Sequence, residues 1–181
     1  MRPSSPPAPA PLVPVAVLRA DGAPADFSWV DVADDAPIPE DRPAVISFAR
    51  LVKDGATKSG RLGVRVAPGD KIEALAPHLK HLDLVVVNFP KFRDGRGYTT
   101  ARLLRDRFGF AGDIRAEGDV LRDQLAFMIR CGFSSFAVKD RAPQAALDAA
   151  LRRFSVVYQP AADGAAPIWR RRAVSGRVAA E

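Results

Sequence analysis

The sequence predicts an α/β domain built on a mainly parallel sheet, either a flavodoxin-like open sheet or part of a (βα) barrel. Three observations carry this. From Leu62 to Gln159, stretches with strand character alternate with stretches of helical periodicity, the pattern of right-handed strand-helix-strand crossovers. One stretch, DLVVVNF (residues 83–89), is apolar and β-branched along most of its length, as in strands covered on both faces. With 181 residues and 48% hydrophobic side chains, the chain is long and apolar enough for one sizeable core. Periodicity alone does not separate the two sheet architectures.

The elements follow in order. Val13 to Leu18 and Phe27 to Val32 read as short strands, and Ala44 to Val52 (AVISFARLV) as a strand or a short helix before the loop KDGATKSG. LGVRV is a strand, APGD a turn ending in the N-cap-type Asp70, and KIEALAPHLKHL mostly helical despite Pro77. After DLVVVNF, the helix TTARLLRDRF aligns Ala101, Leu104 and Phe108 on one face, with Thr99 as a cap. GDIRAEG is a strand, and DVLRDQLAFMIRCG a helix striped by Leu121, Leu125 and Met128 and stopped by Gly132. SFAVKD is the next strand, Pro143 opens the helix QAALDAALRRF, and SVVYQ closes the series. The organisation is thus a disordered proline-rich leader over 1–14, one α/β domain over 15–160, and a mobile basic tail over 161–181.

Charge narrows the partners. There are 27 Lys+Arg against 21 Asp+Glu, a net +6, which favours anionic partners. The single cysteine, Cys131, leaves no intrachain disulfide and no all-cysteine cluster, and its apolar neighbours suit a small buried hydrophobe. Prolines interrupt every apolar run of the leader, and no segment reaches the roughly 18 apolar residues of a membrane span, so a soluble, cytoplasmic protein is expected. His78 and His81 lack a third metal ligand nearby in sequence, and no metal site is expected. The tail WRRRAVSGR has poor aromatic interleaving and no nucleic-acid motif, so specific nucleic-acid binding is at most a minor alternative.

Ligands of parallel sheets bind where strands end and helices begin. That rule selects Asn88, Glu117, Lys139, Asp140, Tyr158 and Gln159 at strand ends, and above all the loop KFRDGRGY. There Lys91, Arg93 and Arg96 supply cations, Gly95 and Gly97 free the backbone to approach a ligand, and the helix start adds partial positive charge beside Tyr98. With Arg115, these residues form the candidate anion site. Asp94, Glu117 and Asp119 are the candidate acid-base residues, Asp119 serving equally well as an N-cap. The alternative is structural, with the arginines pairing to Asp94, Asp113 or Glu117 to hold loops. Neither G-x-G-x-x-G nor G-x-x-x-x-G-K-[ST] is present, and the cofactor is unknown.

The motifs DGRGY, ARLLR, RAEGDVLRDQ and RCGF, in this order between Phe89 and Phe136, with VYQ further on, resemble the bacterial family called domain of unknown function 934. Members of that family are often labelled probable oxidoreductases of sulfite reduction, from their place beside assimilatory sulfite-reductase genes. The resemblance carries over Phe92, Asp94, Gly95, Arg96, Gly97, Tyr98, Arg102, Arg105, Arg115, Gly118, Asp119, Asp123, Gln124 and Arg130. Where the family has an acidic residue after RCGF, this chain has Ser134 and Ser135. The resemblance implies a place in sulfur metabolism, with sulfite as an oxyanion for Arg93, Arg96 and Arg115. Reducing sulfite requires electrons, and the sequence carries neither cluster cysteines nor a flavin or nicotinamide fingerprint. The expectation is therefore an accessory protein that binds a small oxyanion or docks on sulfite reductase subunits. An enzyme acting on a small anion through Asp94, Glu117 or Asp119 is the alternative.

Overall fold

The computed structural model describes residues 16–22, 28–56, 60–138, 144–152 and 156–171. Seven strands form one curled sheet: β1 (Ala16–Arg19), β2 (Val30–Asp31), β3 (Ala44–Ser47), β4 (Leu62–Val66), β5 (Leu84–Phe89), β6 (Asp113–Gly118) and β7 (Ser135–Val138). The α-helices α1 (Phe48–Asp54), α2 (Arg96–Asp106), α3 (Leu125–Arg130) and α4 (Gln144–Arg152) accompany them. The sheet order is β1-β7-β6-β5-β4-β3-β2, so β2 to β7 lie side by side in chain order, all parallel, and β1 closes the β7 edge antiparallel. This order has no reversal of the kind a flavodoxin-like sheet carries.

One face of the sheet bears the core. Val64, Val66, Val87, Phe89, Ile114 and Phe136 pack against Leu51 of α1, Leu104 of α2, Leu125 and Met128 of α3 and Leu147 of α4, all buried. The second face holds a small apolar group, Val45, Leu84 and Val86, covered by Trp29. DLVVVNF is thus buried on both sides, by helices on one and an indole on the other. A Cβ at Gly63 would stand 3.1 Å from the Trp29 ring, so glycine makes room for it.

Several elements differ from expectation. AVISFARLV is both strand and helix, divided at Ser47, whose hydroxyl accepts the Arg50 N–H as an N-cap. KIEALAPHLKHL forms two 3₁₀ turns, Ile72–Leu75 and Leu79–His81, because Pro77 leaves no donor to continue the α ladder. Helix α2 begins at Arg96, which places Thr99 inside it rather than at its cap. Leu121 falls outside α3 and is exposed, so the expected stripe keeps only Leu125 and Met128. Residues 156–159 form no strand; the edge beyond β7 is taken by β1 instead. Residues 156–171 lie against α3, where Arg130 donates to the Gln159 carbonyl (2.7 Å) and to Asp163 (3.0 Å). The leader over 1–14, Lys139, Asp140, Pro143 and 172–181 lie outside the described residues. Among the described residues, no helix is long and apolar enough to cross a membrane.

Candidate functional site

The loop between β5 and α2 is held mainly by its own backbone and side chains. The Phe92 N–H donates to Asp119 (3.0 Å) and the Phe92 carbonyl accepts from the Gln124 amide (3.2 Å), tying this loop to the one after β6. Asp94 takes a bidentate guanidinium from Arg96, at 2.9 and 2.7 Å, and accepts the Arg96 N–H at 3.2 Å. Those Arg96 hydrogen bonds hold the Asp94 carboxyl below the usual carboxylate range. Gly97 lies buried in α2, where a Cβ would come within 2.5 Å of the Phe89 ring, so it serves close packing rather than ligand approach. Gly95 has an ordinary helical backbone and open space around it. Tyr98 stacks edge-on to Phe89 and tilts against Phe127, and burial raises its hydroxyl pKa. What the loop presents outward is Lys91, Arg93 laid over the Phe92 ring, and Phe92 itself, 39% exposed. Leu121 (39%) and Phe127 (58%) are the exposed apolar side chains of the next loop and helix.

Arg115 does not join that loop. It sits in the middle of β6 opposite Val86 and Ser135, on the second face, nine-tenths buried. Its Nε approaches Ser135 Oγ at 3.3 Å and its Nη2 lies 3.6 Å from Asp113. Ser134 and Ser135 both donate to Asp113, at 2.5 and 2.7 Å. Near the carboxyl ends of the strands the same face holds Arg65, whose Nη1 reaches Glu117 and Nη2 reaches Asp31, each at 2.7 Å. Burial alone would depress the Arg65 pKa; the two carboxylates outweigh it and raise it. These three side chains come from β2, β4 and β6, 34 and 52 residues apart in sequence. They line a 180 Å³ cavity with Arg115, Trp29 and the apolar Val17, Val45, Val86 and Ala137.

The family comparison spans the stretch that carries the motifs. A model of a bacterial protein family of unknown function, DUF934, matches residues 63–169. The chain belongs to this family. No curated protein matches it. In the structure, most DUF934 motif residues named from the sequence act as tethers. Arg105 of ARLLR donates to the carbonyls of Phe110, Gly112 (2.8 Å) and Gly132 (3.0 Å), joining the turns before β6 and β7. Arg102 pairs with Asp106, and Arg130 fastens residues 159–163. Gly118 has φ +103°, and a Cβ there would stand 2.3 Å from the Phe89 carbonyl.

The structure therefore divides the predicted anion site in two. Lys91, Arg93, Gly95, Arg96, Gly97 and Tyr98 belong to the loop, and Arg115 to the sheet. The three acid-base candidates each accept from a protein donor: Asp94 from Arg96, Asp119 from Phe92, Glu117 from Arg65. Arg65, Asp31 and Trp29 escaped the sequence analysis. The available signal was charge on the alternate residues of WVDV, LGVRV and DIRAEG: Asp31 and Arg65 singly, and Asp113, Arg115 and Glu117 together in the last. Cys131 is buried, and that burial raises its thiol pKa. Among the described residues, no group of three or more metal-ligating side chains converges.

Proposed function

We propose that this chain is a cytoplasmic accessory protein of assimilatory sulfite reduction that acts by docking on the reductase, through the loops after β5 and β6. The observation that carries docking over oxyanion capture is the pairing within the loop. Arg96 already holds a carboxylate, Gly97 is a packing glycine, and the outward side chains are Phe92, Leu121 and Phe127 among Lys91, Arg93 and Arg122. Exposed aromatics beside arginine on a backbone held in advance are what interface hot spots are made of, because little entropy is lost when they bind. The cations favour an acidic surface on the partner. The sulfur context rests on the family resemblance.

We also read the curled sheet as part of a (βα) barrel. Consecutive parallel order, helices on one face, and side chains from alternate strands β2, β4 and β6 meeting on the other support this.

The test is binding of purified assimilatory sulfite reductase to the immobilised chain at two salt concentrations. The parent binds, more weakly at high salt, and Phe92→Ala and Phe127→Ala each weaken binding by about tenfold or more. Arg96→Ala has a smaller effect. No binding by the parent, or full binding by both phenylalanine variants, contradicts the reading.

A further inference from the structure

We propose that the cavity on the second face of the sheet is a binding site for a small amino-carboxylate, an α-amino acid or a near analogue. The proposal stands independently of docking through the loops. At 180 Å³ the cavity has room for about six water molecules at roughly 30 Å³ each, and falls short of the ~300 Å³ at which drug-sized and cofactor pockets begin. Its charged lining is balanced, Arg65 and Arg115 against Asp31 and Glu117. A simple anion or a simple cation gains little from such a lining. A ligand bearing both charges at close spacing satisfies both.

The geometry assigns each end. Arg65 presents a planar guanidinium that now holds two carboxylates, and Asp31, the outer one, is 70% exposed. An exposed ion pair is worth about 0–1 kcal/mol, so a ligand carboxylate replaces Asp31 on Arg65 at little cost. Glu117, the inner partner, then accepts the ligand ammonium. Arg115, two residues before Glu117 on β6, is fixed by the sheet, by Ser135 and by Asp113 at 3.6 Å, and forms part of the cavity lining without taking either end of the ligand. The remaining wall, Val17, Val45, Val86 and Ala137 with the Trp29 ring, suits a short apolar side chain. Stability gives these charges no comparable reason to be there, because replacing such a pair by apolar side chains is often neutral or stabilising.

Trp29 lines the cavity and reports on it once the other tryptophan is removed by Trp169→Phe. The probes are L-alanine, propionate, ethylamine and sulfite, titrated against Trp29 emission in the otherwise intact chain. L-Alanine gives a saturable change. Propionate and ethylamine bind roughly ten- to a hundredfold more weakly, the worth of one charge-assisted hydrogen bond. Glu117→Gln and Arg65→Met lower alanine affinity by a similar factor, in variants whose urea unfolding stays cooperative. Ala137→Leu, which narrows the cavity without touching a charge, abolishes it. The proposal is overturned if alanine gives no saturable change, if propionate or sulfite binds as tightly as alanine, or if Arg65→Met keeps full affinity.

Discussion

The two faces of the sheet are made by the same strands and obey different rules. On one, Val64, Val87, Ile114 and Phe136 meet the helices in a buried core. On the other, the alternate residues Arg65, Arg115 and Glu117 form ion pairs around a cavity that, among the described residues, Trp29 and a few aliphatic groups cover. Adjacent residues such as Val64 and Arg65 therefore do unrelated work. The first face holds the fold together, and the second is where ligand chemistry has room.

That contrast is open to attack at several points. The largest effect is expected on the first face: Leu104→Ala, at a fully buried site, costs about 2–5 kcal/mol in urea unfolding. A loss under about 1 kcal/mol would mean that the helices are not packed as described. Next comes the junction of the loops. Gly118→Ala costs about 1–3 kcal/mol for backbone strain alone, with a further penalty from contact with the Phe89 carbonyl. Preserved stability there would mean that β6 ends differently. The smallest effect belongs to the exposed Arg96–Asp94 pair. The Asp94 carboxyl titrates lower in the folded chain than in the unfolded one, so its contribution is present above the usual carboxylate range and is lost as pH falls through the depressed value. Asp94→Asn is accordingly slightly less stable than the parent at neutral pH, and the two converge in acid. A gap that widened in acid would contradict the pairing.

Much of the first face was legible in the sequence, because burial imposes periodicity. LGVRV, DLVVVNF and GDIRAEG were found where β4, β5 and β6 lie; of the stripe Ala101, Leu104 and Phe108, the first two mark the buried side of α2 and Phe108 lies past its end. Errors gathered where local propensity was outvoted. SVVYQ has strand composition, but the place beside β7 is filled by β1 from the other end of the chain, a long-range pairing that no local pattern announces. Ser47 ended β3 by capping α1, inside a run read as one element.

The candidate site was less legible, for a physical reason. Loop cations are conspicuous in sequence, so KFRDGRGY drew attention, yet whether Arg96 is available depends on Asp94 two residues away, and the geometry makes them partners. The cavity residues are the reverse case. Glu117 stood out at a strand end, but its partners Arg65 and Asp31 each look like an ordinary surface charge, and only strand register brings the three together.

The claim that the second face is kept for binding rather than for stability is tested most directly by urea unfolding of the double variant Arg65→Met/Glu117→Leu. It replaces the ion pair with apolar groups and leaves Asp31 in solvent. The account predicts an unfolding free energy within about 1 kcal/mol of the parent, or higher, because apolar replacement of a partly buried ion pair is often neutral or stabilising. A loss of about 3 kcal/mol or more would show that the charges hold the sheet together, and the division between the two faces would fail.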